Sequence, residues 1–126
     1  MALAKIWQGL LAALLTLAIV VAATAQELRR LSGADLFAGL QQYVGKQVIL
    51  SDGRVFGANN NFALVWAGAV LFDLNIADID AESRQLLLAN CASIGLPDVC
   101  RVQLLVVPTG QTNGSSPVLK AVRIVR

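Results

Sequence analysis

Between Lys5 and Glu27 the chain carries no charged residue, and this stretch constrains everything downstream of it. Its densest part is Leu10-Leu11-Ala12-Ala13-Leu14-Leu15-Thr16-Leu17-Ala18-Ile19-Val20-Val21. Lys5 and the N-terminal amine precede the run; Ala23-Thr24-Ala25 and the polar Gln26 follow it. A positive start, an apolar centre and an A-x-A exit are the parts a signal peptidase reads. Residues 1–25 are therefore expected to be a signal peptide, cleaved between Ala25 and Gln26. The alternative is an uncleaved anchor, because residues 6–25 as a helix rise roughly 30 Å, the thickness of a bilayer core. Arg29 and Arg30 offset Lys5 and the amine, so charge bias does not separate the two. The A-x-A favours cleavage, and no Cys near the end of the run supports lipoprotein attachment. Either way the rest of the chain is expected outside the cytosol. It would be periplasmic or secreted if cleaved, and a single-pass membrane-anchored domain if not.

About 100 residues remain beyond the run, enough for one domain with one core. Cys91 and Cys100 enclose a segment in which Gly95 and Pro97 let the chain reverse. In an oxidising compartment the expectation is a structural disulfide. Zinc generally asks for four N or S ligands, and the chain has two Cys and no His. The cysteine spacing is also too long for a C-x-x-C redox centre.

Lys5 is one of ten Lys or Arg, so nine remain beyond the leader against eight Asp or Glu, a net of +1. They are scattered, with only Arg29 and Arg30 adjacent, which offers no basic field to a polyanion. The absence of His excludes Ser-His-Asp and Cys-His mechanisms. Neither G-x-S-x-G nor S-x-x-K occurs, and the phosphate-cradling glycine signatures are absent. The chain is thus expected to be a non-enzyme with no cofactor and no metal. Its acidic group of Asp73, Asn75, Asp78, Asp80 and Glu82 has oxygen ligands at close spacing but no EF-hand pattern. Capping a helix and meeting the positive end of its dipole accounts for these acids better.

Ser32-Gly33-Ala34-Asp35 reads as a helix cap, with Leu36, Phe37, Leu40, Tyr43 and Val44 at helical spacing and Gly45 at the exit. This makes residues 26–45 an N-terminal helical segment. Residues 47–51 and 54–57 are β-rich and flank Asp52-Gly53, which is either a hairpin turn or a bulge kinking one long strand. Asn59-Asn60-Asn61 is a polar turn. Residues 62–66 and 70–74 are strands around Ala67-Gly68-Ala69, and Asp78 or Asp80 caps a second helix that runs to about Ala92. A strand over residues 102–107 ends at Pro108, a Gly/Ser/Asn loop occupies 109–117, and residues 118–125 form the last strand.

The fold class expected is mainly β with two helices, α+β. From Lys46 onward the order is β-β-β-α-β-β with a long loop before the last strand. That order resembles an oligonucleotide/oligosaccharide-binding (OB) barrel, five strands in a Greek key with a helix between the third and fourth. The resemblance covers residues 46–126 and is one of element order only. A helix followed by Tyr43-Val-Gly-Lys-Gln-Val-Ile-Leu-Ser-Asp-Gly-Arg54 is also similar to the opening of an Sm-like RNA-binding domain. Those domains continue with strands and a second glycine motif, and this chain departs from them there.

Along residues 62–67, Phe62, Leu64 and Trp66 share one face while Ala63, Val65 and Ala67 share the other. Both faces are apolar, and the bulky one is expected in the core. The OB resemblance implies a ligand surface on the second and third strands and two adjoining loops. Its candidate residues are Asn59, Asn60, Asn61, Phe62, Trp66, Gln111 and Asn113. Asn113-Gly114-Ser115 also matches a glycosylation acceptor. The function expected is a non-enzymatic exported binding module or accessory subunit whose partner is another envelope or membrane protein. The alternative is an OB-type binder of oligosaccharide or nucleic acid, the nucleic acid being disfavoured by charge. Exposed Phe62 or Trp66 beside the Asn loop favours the alternative; buried aromatics and an apolar outer strip favour the first.

Overall fold

The computed structural model describes residues 28–126 except Leu96. The expected leader and the cleavage site between Ala25 and Gln26 lie outside the described residues.

The Ser32 hydroxyl accepts from the Asp35 amide at 3.1 Å, capping helix α1 (Gly33–Ala38). The single helix expected here is two: the Gly39 N–H closes α1 on the Asp35 carbonyl, and α2 (Leu40–Tyr43) follows. Glycine inside a helix costs about 1 kcal/mol relative to alanine, which is why the run divides at Gly39. Of the apolar residues at helical spacing, Leu36 is buried, Leu40 and Tyr43 pack partly on the core, and Phe37 and Val44 are exposed. The first residue of α1 presses on a neighbouring backbone. A Cβ on Gly33 would lie 2.3 Å from the Ala67 carbonyl oxygen, an approach only glycine permits.

Asp52-Gly53 forms a bulge, not a hairpin, in the single strand β2 (Val48–Phe56). Leu50 pairs with Leu104 and Gly53 with Val102 of β5 (Arg101–Asn113), so Ser51 and Asp52 stand opposite Gln103 alone. The bulged side chains tie down the preceding segment. The Ser51 hydroxyl donates to the Leu31 carbonyl at 3.0 Å, and Asp52 Oδ1 accepts the Gly33 N–H at 2.8 Å. Between these contacts β1 (Arg30–Leu31) pairs in parallel with Ile49 and Leu50.

Pro108 does not end β5, and the loop expected over 109–117 is mostly strand. β5 continues to Asn113, turns at Gly114 and Ser115, and returns as β6 (Ser116–Val125). Gly114 supplies the positive φ, 62°, that such a tight hairpin requires. In an antiparallel ladder a residue's N–H and C=O face the same neighbour. The Pro108 carbonyl accepts the Gly45 N–H, on the β2 side and past the last β2–β5 pair, Val48 with Val106. Its missing N–H therefore takes no bond from β6.

With β3 (Phe62–Ala67) and β4 (Val70–Asn75), the strand order is β2, β3, β4, β6, β5, and β5 pairs back to β2. Five strands close into a barrel, all antiparallel except the β4–β6 pair, an arrangement compatible with an OB-like barrel. The chain is thus mainly β with helices, as expected, with α1 and α2 in place of the one N-terminal helix. Leu50, Val55, Val65, Phe72, Leu74, Leu104, Val106 and Leu119 are fully buried in the core.

Helix α3 (Ala81–Asn90) joins β4 to β5 and contributes Leu87 to that core. Asp80, not Asp78, is its cap, accepting from the Ser83 amide at 3.0 Å. The helix start is stitched to β6: the Asp80 N–H donates to the Val122 carbonyl and the Ile124 N–H to the Ser83 hydroxyl. Hydrogen bonds from Ser83, its side chain first and then its amide, hold the Asp80 carboxyl below its ordinary pKa, and Arg123 and Arg126 add to the effect. Ser83→Ala is expected to cost about 1–3 kcal/mol, because it leaves the part-buried Ile124 N–H without its acceptor. It should also flatten the acid side of the stability profile. A carboxylate with a depressed folded-state pKa stabilises the fold above its unfolded value, and that contribution is lost as pH falls through the lowered one. Losing the Ser83 hydroxyl shrinks the difference, and urea melts at about pH 7 and about pH 3 would measure both effects.

The sulfurs of Cys91 and Cys100 lie 2.06 Å apart and both residues are buried, as the disulfide expectation required. The bond links the end of α3 to a 3-10 turn (Asp98–Cys100) that leads into β5. The enclosed loop is paired to the β2–β3 connection: Gly57 N–H donates to Ser93 and Ala58 N–H to the Cys91 carbonyl, each at 2.9 Å. A disulfide fits an extracytoplasmic setting. Among the described residues no helix is long and apolar enough to cross a membrane.

Candidate binding face

β3 presents its bulky side outward, opposite to expectation. Ala63, Val65 and Ala67 are buried, at 2% exposure or less, whereas Phe62 is 54% and Trp66 37% exposed, with Leu64 between them partly covered. The reason is the barrel. Five closed strands leave a narrow interior, and Phe72 from β4 already occupies it beside Val65, its cross-strand partner. Small side chains on β3 fit what space is left.

The register sets the outer neighbours of this stripe. Across the sheet run three rows: Arg101, Arg54, Trp66 and Leu71; Phe56, Leu64, Asp73 and Val118; and Phe62, Asn75 and Lys120. Residues facing each other across adjacent strands have Cβ atoms about 4.5–5.5 Å apart, so each row is a set of touching side chains. The β5–β6 hairpin reaches the middle row, where the Asn113 side-chain amide donates to Asp73 Oδ2 at 2.5 Å.

Of the residues singled out from sequence, Phe62, Trp66 and Asn113 come together on this face. The Asn turn abuts it, and several of its polar groups serve the fold. Asn59 Oδ1 accepts the amides of Asn61 and Phe62, the Asn60 carbonyl accepts from Arg84, and the Asn61 carbonyl accepts from Ile76. Gln111 is exposed, its backbone amide donating to the Thr109 hydroxyl, and nothing ties its side chain to the face. Asn113, the glycosylation acceptor by pattern, has its amide engaged by Asp73.

The acids of the 73–82 group are dispersed. Asn75 Oδ1 accepts the Ala77 amide, Asp80 caps α3, Asp78 meets Lys120 at 3.6 Å and Glu82 meets Arg126 at 3.3 Å. Both ion pairs are well exposed, where such pairs contribute little.

Sequence reasoning missed Asp52, Leu71 and Arg101, and did not place Arg54 beside Trp66. A cavity of about 640 Å³ opens at one end of the stripe, lined by Ser51, Asp52, Arg54, Trp66, Gly68 and Arg101. No local pattern marks these residues as partners, since they meet only through the β2 bulge and the β2–β5 register. A second cavity of about 500 Å³ shares Arg101 and lies against Leu86, Ile124 and Arg126.

Compared with protein-family models, curated proteins and solved structures, the chain matches none.

Proposed function

We propose that this chain is a non-enzymatic binding module, exported on its leader, that docks a partner protein of the cell envelope on the outer face of β3 and β4. The observation that carries the reading is the outward stripe of exposed Phe62 and Trp66 with part-covered Leu64 between them, flanked by Leu71. Aromatic anchors set among polar groups, here Arg54 beside Trp66 and the Asp73–Asn113 pair in the middle row, are how protein interfaces concentrate their binding energy. The Asn60 and Asn61 carbonyls, Asn59 Oδ1 and the Asn113 amide are already engaged, which leaves mainly the exposed Asn60 and Asn61 side-chain amides for reading a polar ligand. An OB-type barrel binding a neutral oligosaccharide is the second reading, favoured by Phe62 and Trp66 standing exposed as stacking platforms beside the Asn turn.

A photo-crosslinking residue in place of Phe62, in the chain expressed in its native cells, separates these readings, with the exposed Gln85 on α3 as the control position. The expected result is one discrete protein adduct from position 62 and none from 85. Trp66→Ala should weaken the association roughly thirtyfold, about 2 kcal/mol, as truncation of a central aromatic does. A glycosidase-sensitive adduct that survives protease would transfer the assignment to the second reading. Equal labelling from both positions would remove the face from consideration.

A further inference from the structure

We propose that the cavity beside Trp66 binds an oxyanion carried on an apolar or aromatic body, with Arg54 and Arg101 as its charge partners and the indole as its wall. Arg54 stands directly opposite Arg101 on β5 and directly opposite Trp66 on β3, so the three side chains form one row along the cavity. Two guanidinium groups facing each other across a sheet repel, and neither can shed its proton. The protein does little to neutralise them. Arg54 has no ion-pair or hydrogen-bond partner among the described residues. The Arg101 pair with Asp98 is 3.7 Å long and joins side chains that are 57% and 98% exposed. Asp52 also lines the cavity, but its Oδ1 takes the Gly33 N–H at the start of α1. One carboxylate against two guanidiniums leaves the cavity with a net positive charge.

A carboxylate or phosphate seated between the two arginines would cancel the repulsion and match the paired donors that each guanidinium presents. The body bearing that charge would lie on Trp66, whose ring is in reach of both the ligand and Arg54. Ser51 is already committed to the Leu31 carbonyl, so charge and ring stacking carry the recognition. This site shares Trp66 and Arg54 with the proposed docking face, but anion binding there requires no protein partner.

Trp7→Phe in the full chain leaves Trp66 as the only indole, one of the two in the sequence, and its fluorescence can be followed at fixed ionic strength. Titration with benzoate, phenyl phosphate and neutral benzyl alcohol distinguishes the possible sources of the anion. Saturable change with one or both anions is expected, at least tenfold tighter than with benzyl alcohol. Preference between the two anions identifies the ligand as a carboxylate or a phosphate. Arg54→Gln and Arg101→Gln should each weaken anion binding tenfold or more. Because each variant relieves a like-charge contact, both should keep the native circular dichroism and melting temperature. Equal response to benzyl alcohol, an Arg54→Gln variant that binds as before, or no saturation up to the millimolar range would overturn the proposal. Crosslinking from Phe62 should be unchanged in Arg101→Gln, so failure of the anion site and failure of the docking face are separable.

Discussion

Phe72→Ala is expected to lower the stability of this domain by about 3–5 kcal/mol, the range for removing a buried phenyl group. Phe72 is fully buried and heads the interior side chains by volume. Its neighbours on β3 are Val65 with Ala63 and Ala67 to either side, all too short to collapse into the space it would vacate. The cavity term therefore adds to the lost transfer energy. A domain of about 100 residues has a total stability of roughly 5–15 kcal/mol, so most of the molecules could be driven to the edge of unfolding. Phe62→Ala removes the same group from the outer face and is expected to change stability by no more than about 0.5 kcal/mol. Urea denaturation of both variants with a shared m-value makes the comparison. If the two cost the same, the inside and outside of the β3–β4 hairpin have been assigned wrongly.

Local chemistry was legible where one residue decides the outcome. Ser32 and Asp80 both cap helices, as their positions before apolar runs predict. The two cysteines pair, and the strand-rich order with one helix after the third barrel strand is the order observed. What local sequence left open or misread was punctuation whose meaning depends on distant partners. Asp52-Gly53 suits a hairpin turn or a bulge equally, and β5, lying alongside both halves of β2, selects the bulged strand. Pro108 stops a strand only if its missing N–H is needed, and here it falls beyond the end of β2.

The inversion of β3 has a different cause. Alternation correctly separates Phe62, Leu64 and Trp66 from Ala63, Val65 and Ala67, and side-chain size then suggests which set is core. Size is a good guide for an open sheet, whose buried face can spread over a helix or a second sheet. A closed five-stranded barrel has a fixed interior, and one large residue from β4 pre-empts it. The candidate face is therefore a consequence of closure: aromatics that do not fit inside are presented outside. The same closure brings Arg101 beside Arg54, a pairing of residues 47 positions apart that no spacing rule anticipates.

Replacing both Cys91 and Cys100 with alanine is expected to cost roughly 2–3 kcal/mol, the chain-entropy value for a loop of nine-residue separation. For a domain of this size that corresponds to a fall of roughly 10–20 °C in melting temperature, and reductant should produce a similar shift in the native chain. The loss should be felt first in one place. The Cys91 carbonyl receives the Ala58 N–H and the Ser93 carbonyl receives the Gly57 N–H, so the disulfide loop holds the connection that delivers Phe62 to the outer face. Hydrogen exchange at Gly57 and Ala58 is expected to accelerate well before that of Val65 or Phe72 in the core. Arg54 and Trp66 pair across β2 and β3 at the far end of β3, whereas Arg101 follows Cys100 directly and opens β5. Loosening the loop should therefore reduce crosslinking from Phe62 and also weaken the share of anion binding that Arg101 carries. A uniform increase in exchange across the barrel would instead show that the bond stabilises the whole domain through the unfolded chain, with no local share.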